Sequence, residues 1–162
     1  MKHFLPLLLL LAHQAVLGQD PTLDRSFTDR SWDVLVGGSL GGTQNVELGL
    51  ARRYQRADRK RPFATVMYVS VERNFGYPKG FAPKVGAWRG SGPAGLCFGV
   101  SGLYYSQENL KGLCIRPEIG FGYERFKVTY AYNVYASQAP ISGHMLTVAL
   151  LFSFKVTELP AQ

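Results

Sequence analysis

Residues 116–135 read RPEIGFGYERFKVTYAYNVY. Extended back to Gly112, the stretch puts Leu113, Ile115, Pro117, Ile119, Phe121 and Tyr123 at odd positions, and Gly112, Cys114, Arg116, Glu118, Gly120 and Gly122 at even ones. A strand turns successive side chains to opposite faces, so one face is large and apolar and the other small or charged. Beyond Glu124–Arg125, Phe126, Val128, Tyr130, Tyr132 and Val134 fall on one side, with Lys127, Thr129, Ala131 and Asn133 on the other. A hairpin centred between residues 124 and 125 pairs Phe121 with Val128 and Ile119 with Tyr130. On the opposite face it pairs Gly122 with Lys127 and Gly120 with Thr129, so both faces match across the pair, as a correct register demands. Glu-Arg is not a favoured pair for a tight primed turn, and a loop of about four residues on the same centre keeps the same register.

The same alternation recurs along the chain, punctuated by Gly, Pro, Asn and Ser, whereas helical periodicity is hard to find. It predicts eight strands, at 31–41, 44–54, 63–74, 83–90, 94–105, 111–123, 126–136 and 143–156, with the fourth the least regular. The second sets Val46, Leu48 and Leu50 against Asn45, Glu47, Gly49, Ala51 and Arg53. The fifth sets Leu96, Phe98 and Val100 against Gly95, Cys97, Gly99 and Ser101, and the last sets Leu146, Val148, Leu150, Phe152 and Phe154 against Thr147, Ala149 and Ser153. An all-β, antiparallel up-and-down barrel of eight strands over 31–156 is the expected fold.

Alternation alone leaves the inside face open. A soluble lipid-carrying barrel turns its large apolar face inward, and a membrane barrel turns it to lipid. Three features favour the membrane. The smaller face is dominated by Gly, Ala, Ser and Thr with occasional charges, which suits a tight lumen. Aromatic residues gather toward strand ends (Trp32, Tyr54, Phe63, Tyr104, Tyr123, Phe126, Phe154). The strands are also long enough to cross a bilayer at the usual tilt.

The opening residues, MKHFLPLLLLLAHQAVLGQD, have the layout of a secretory signal peptide spanning 1–18, with the cut before Gln19. Its apolar stretch is too short to span a bilayer as a helix, and no later segment reaches the roughly twenty apolar residues that a helical span needs. A polar lead-in (19–30) precedes the barrel, and residues 157–162 form a C-terminal tail. Without Lys2 the chain carries 17 Lys and Arg against 11 Asp and Glu, a net +6. Such a cationic surface suits anionic partners such as lipid phosphates.

The leader ending before Gln, the eight amphipathic strands, the PEIGFGYERFKVTYAYN hairpin and the closing GHMLTVALLFSF resemble the small eight-stranded outer-membrane β-barrel proteins of Gram-negative bacteria, of the OmpA/OmpX-like and especially the Bacteroidota type. The resemblance covers residues 31–156 as a pattern. It implies an integral outer-membrane protein exported through its signal peptide, with a structural or interaction role and a lumen filled by side chains rather than an open pore. The partners it implies are membrane lipid, including lipopolysaccharide, and an outer-membrane or periplasmic protein; nucleic acid is not among them. Two departures stand out: KVTELPAQ follows Phe154, where such chains usually end on an aromatic residue, and Pro117 falls inside a strand, where a bulge is expected.

The expected lumen charge network is Glu47, Glu72, Arg116, Glu118 and Lys127, with Arg116 and Glu118 close enough to pair along one strand. The run RRYQRADRKR concentrates Arg52, Arg53, Arg56, Arg59, Lys60 and Arg61, candidates for contact with an anionic surface. His144 is the one imidazole after the leader, so no zinc site, cofactor or catalytic residue is expected. Ser142 and His144 invite comparison with outer-membrane lipid-modifying enzymes, but no carboxylate is placed to orient the imidazole. The alternative from another class is an exported soluble lipocalin-like barrel binding an apolar ligand, although SWDVLVGG lacks the G-x-W common in such proteins. For Cys97 and Cys114, both on the small face, a disulfide and two free thiols are both open.

Overall fold

The computed structural model describes residues 27–41, 44–57, 62–75, 79–91, 95–107, 110–135 and 143–159. The expected signal peptide, most of the lead-in and the end of the tail lie outside these residues. Eight strands form: β1 (Phe27–Gly41), β2 (Asn45–Ala57), β3 (Phe63–Asn74), β4 (Gly80–Ser91), β5 (Leu96–Gln107), β6 (Leu110–Tyr123), β7 (Phe126–Tyr132, continued by Val134–Tyr135) and β8 (His144–Leu159). Each pairs antiparallel with the next, and β8 pairs back with β1, giving a closed up-and-down barrel.

The 116–135 hairpin has the expected register: Tyr123 pairs with Phe126, Phe121 with Val128 and Ile119 with Tyr130, about a two-residue Glu124–Arg125 turn. Several strands run past their apolar alternation. β1 starts at Phe27 rather than 31, β2 reaches Ala57 rather than 54, β4 covers 80–91 rather than 83–90, and β8 reaches Leu159. The ladder there continues through polar residues such as Asp29, Arg30, Gln55 and Arg56, where hydrophobic periodicity carries no signal. β5 begins at Leu96 rather than 94 because Gly95 belongs to the preceding turn, with φ +63°, a left-handed conformation that glycine adopts without strain.

A row of paired residues followed from Thr28 through Arg56, Phe63, Ser91, Leu96, Phe121 and Val128 arrives on β8 at Val148, whereas Thr28 itself pairs with Leu159. Allowing for one bulged residue, the offset is a shear of about ten residues, which for eight strands means a tilt of roughly 40° and an interior that side chains fill. The bulged residue is Phe154, skipped where Trp32 pairs with Lys155 and Asp33 with Ser153.

Pro117 makes no bulge. It stays in register with Val100, and β6–β7 pairing keeps one register on either side, from Glu118 with Ala131 to Ile115 with Val134. The β6–β7 ladder is interrupted only at Pro117 and Arg116, opposite Tyr132 and Asn133, where the proline has no N–H to give, while Asn133 N–H donates to Gly143 O at 2.6 Å in line with the Tyr132–His144 register.

Alternation resolves into a polar inside and an apolar outside. Buried residues include Asp33, Glu47, Glu72, Arg116 and Lys127, whereas Leu48, Val69, Phe98, Ile119 and Phe152 are at least half exposed. Two apolar clusters plug the lumen toward its opposite ends. One holds Leu35, Val66, Tyr68, Trp88 and Leu151, and the other Ala82, Leu103, Tyr105 and Cys114 with Tyr135 against them. Cys97 pairs across β5–β6 with Gly120, and Cys114 with Leu103, so the thiols stand roughly 20 Å apart along the strands and both are free.

Tyr68 lies across the lumen because β4 offers Gly86 beneath it. A Cβ there would meet Tyr68 Oη at 2.6 Å and Ser101 Cβ at 2.8 Å. Gly86→Ala is expected to lower unfolding stability by about 1–3 kcal/mol through this overpacking, measured by urea unfolding in detergent micelles against the wild-type chain.

Candidate functional site

The charged layer of the lumen begins with a conflict. Glu47 on β2 and Glu72 on β3 are direct cross-strand partners facing inward, and like charges so placed repel. Lys84 on β4 resolves it, its Nζ lying 3.0 Å from Glu47 Oε2 and 2.9 Å from Glu72 Oε1. Ser70 adds a hydroxyl donor to Glu47 at 2.5 Å, and Asn45 donates to Glu72 at 3.3 Å.

Arg116 enters from β6. Its guanidinium is bidentate on Glu72, at 2.5 and 3.2 Å, and also donates to Asn133 Oδ1 at 2.7 Å and Tyr105 Oη at 3.1 Å. Glu72 and Arg116 are completely buried, so this fork closes a charge pair shielded from bulk solvent. The residue that leaves the ladder opposite Arg116 thus supplies the acceptor for its Nε.

Glu118 belongs to a neighbouring set. It pairs with Lys127 and accepts from Thr129 at 3.2 Å and Ser101 at 3.4 Å. Lys127 Nζ also lies 4.6 Å from the Trp88 ring centroid, a cation–π contact that shares the ammonium between a carboxylate and an aromatic face. A third set forms where β1, β2 and β8 meet: Arg53 sits 3.4 Å from Asp33 and donates to Ser31, Gln55 and Ser153.

All five expected lumen residues, Glu47, Glu72, Arg116, Glu118 and Lys127, are buried in the interior. Arg116 and Glu118 share that face but do not pair with each other; each finds its partner across the lumen or on the next strand. The basic run is divided. Arg53 is a lumen residue and not a surface contact, because strand alternation continues through it, while Arg52 and Arg56 on either side face outward and are exposed. Arg59, Lys60 and Arg61 lie outside the described residues, as does Ser142. His144 is exposed on the outer wall, hydrogen-bonded to Tyr130 and edge-on to Tyr132 with ring centroids 4.9 Å apart.

Lys84 and Asp33 were not anticipated. Lys84 follows Pro83 in the strand with the least regular alternation, yet it shares parity with Ala82, Gly86 and Trp88, and that parity is the signal that locates it. Asp33 shares parity with Ser31 and Leu35 in the same way. Among the described residues no group of three or more His, Cys, Asp or Glu is arranged to hold a metal ion. Chemically the layer is a set of closed ion pairs whose members come from different strands, and what it does is tie β2, β3, β4 and β6 together across the interior.

Compared with protein-family models, curated proteins and solved structures, the chain returns no match. What the structure itself shows is a closed eight-stranded antiparallel barrel.

The pairing pattern ranks the carboxylates. Glu72→Ala leaves buried Arg116 without a carboxylate and Lys84 with Glu47 alone, whereas Glu118→Ala leaves Lys127 without its carboxylate but with its aromatic neighbours. Glu72→Ala is expected to cost about 3–5 kcal/mol and Glu118→Ala distinctly less. Urea unfolding of the two variants side by side in one detergent checks the order.

Proposed function

We propose that the protein is an integral outer-membrane β-barrel with a structural or interaction role, exported behind the signal peptide at 1–18, its lumen occupied by its own side chains instead of serving as an open pore. One observation carries this reading: on all eight strands most large apolar side chains face outward, apart from the two lumen clusters, while the described strand carboxylates face inward. On β5 from Leu96 to Tyr104, on β6 from Leu113 to Phe121 and on β7 from Val128 to Val134 the outward positions, among them Phe98, Val100, Ile115, Ile119, Tyr130 and Tyr132, carry no charge.

Water is a poor solvent for such a wall. Each Leu, Ile or Phe left exposed forgoes about 1.5–3 kcal/mol of burial, and the continuous surface far exceeds the apolar patches that water-soluble monomers tolerate. Lipid removes the penalty, and closure leaves no strand edge unpaired within it. A soluble barrel carrying an apolar ligand asks for the reverse arrangement, with apolar side chains lining the cavity and charge facing water.

The expected behaviour is co-fractionation with membranes through a carbonate or urea wash, and a shift in gel mobility on boiling as the closed barrel opens. Recovery of a monodisperse monomer free of detergent from the periplasm would overturn the reading.

A substitution on the wall separates lipid from water as its surroundings. Ile119 is half exposed and sits mid-strand on β6. Ile119→Arg is expected to cost roughly 2–4 kcal/mol in a bilayer and to reduce membrane insertion. In a water-facing position the change would be almost neutral, so an unaltered stability and yield in lipid would count against the membrane.

A further inference from the structure

The outer wall is not uniformly apolar. Near the end where β1 and β3 begin and β2, β4 and β8 finish, one sector carries exposed Arg30, Arg52, Arg89 and Lys155. The register sets Trp32 between Arg52 on β2 and Lys155 on β8, and sets Arg30 beside Tyr54. Paired rows climb by a little over one residue per strand at this shear, which brings Arg89 on β4 to about the height of Arg52.

Each of the three guanidinium groups lies over an outward-facing aromatic ring. Arg30 is 5.7 Å from the Tyr54 centroid, Arg52 5.7 Å from Trp32, and Arg89 4.4 Å from Phe63. A guanidinium near a ring face is attracted to it without using up its N–H donors, and a guanidinium with free donors grips a phosphate in a fork. The sign of the sector is also undiluted. Among residues whose side chains are described, Asp29, Asp33, Glu47, Glu72 and Glu118 are all in the lumen, and the remaining carboxylate, Glu124, is in the β6–β7 turn.

Immediately up the same strands the wall becomes apolar, with Val36, Leu50, Met67 and Val85. A ligand that uses both parts has phosphate at one end and hydrocarbon at the other. Free phosphate would use the cations alone, and a nucleic acid would gain nothing from the apolar wall.

We propose that this sector, on β8, β1, β2, β3 and β4, is a binding surface for anionic phospholipids, with Arg30, Arg52, Arg89 and Lys155 taking headgroup phosphates and the adjoining wall taking acyl chains. The proposal rests on the membrane reading and adds to it a lipid preference with a location.

Trp32 reports on it directly. The chain has two tryptophans, Trp32 within the sector and Trp88 buried in the lumen, so the fluorescence lost in Trp32→Phe isolates the sector's signal. The wild-type barrel is reconstituted in phosphatidylcholine containing phosphatidylglycerol, with bromine near the glycerol end of the acyl chains of one lipid or the other. Per lipid molecule, brominated phosphatidylglycerol is expected to quench Trp32 about fivefold more effectively than brominated phosphatidylcholine, the factor that one basic side chain supplies at an anionic surface.

Combining Arg30→Gln, Arg52→Gln, Arg89→Gln and Lys155→Gln should remove the preference while brominated phosphatidylcholine still quenches. Raised salt should weaken the preference in the wild-type protein, a measurement that needs no variant. Equal quenching by the two lipids overturns the surface and leaves the membrane reading intact, and a preference that survives all four substitutions overturns the assignment of these residues. Quenching by neither lipid would show that the barrel is not in the bilayer, and both readings would then fail together.

Discussion

Glu72 and Arg116 meet inside the barrel from β3 and β6, strands that are not neighbours, and neither side chain is exposed to bulk solvent. Two ions can be taken out of solvent only if their geometry and remaining hydrogen bonds compensate a desolvation cost of several kcal/mol per ion. Here they do so because Lys84, Asn133, Tyr105 and Asn45 complete the shell. That requirement fixes much else. A slip of one residue on β3 or β6 would carry Glu72 or Arg116 to the outer wall and bring Val71 or Ile115 inside, so the ion pair and the strand register specify each other.

The polar interior in turn dictates the exterior. An eight-stranded barrel of this shear has little room, and the space is taken by charged side chains at mid-height and by aromatic and aliphatic clusters toward the ends. Large apolar residues that alternate with these have nowhere to go but outward. Carboxylates are drawn inside by Lys84, Arg116, Lys127 and Arg53, which leaves arginines such as Arg30, Arg52 and Arg89 on the outer wall with aromatic rings as their neighbours. The described strand carboxylates thus all lie inside, and among its described charged residues the outer wall keeps only cations.

The barrel was legible because alternation is a local signal. The hairpin around Glu124–Arg125 could be registered from its own residues, and the lumen carboxylates sit at unambiguous parity on long strands. Partners were less legible, since Arg116 lies beside Glu118 in sequence yet meets Glu72 through the closure of the whole barrel. Arg53 shows how composition hides geometry: a run of basic residues reads as one patch, although strand alternation sends Arg52 out and Arg53 in. Pro117 marked a disturbed ladder correctly, but the disturbance became a break in the facing strand at Asn133, and the actual bulge, at Phe154, had no sequence mark of its own. Lys84 was obscured by the uneven alternation of β4, where inward positions hold Trp88 as well as glycine.

The seam between β1 and β8 joins the first and last strands and is among the longest ladders in the barrel, running from Thr28 with Leu159 to Gly41 with Met145. Every other ladder can grow from a neighbouring hairpin, whereas this one closes a loop of more than a hundred residues and bears the full entropy of doing so. Until it forms, both strands present rows of unsatisfied N–H and C=O groups. In hydrocarbon those rows would be prohibitively costly, so in the membrane proposed above closure of the seam and entry into the bilayer would have to be a single concerted event, with the slow step of assembly at the two strands furthest apart in the chain.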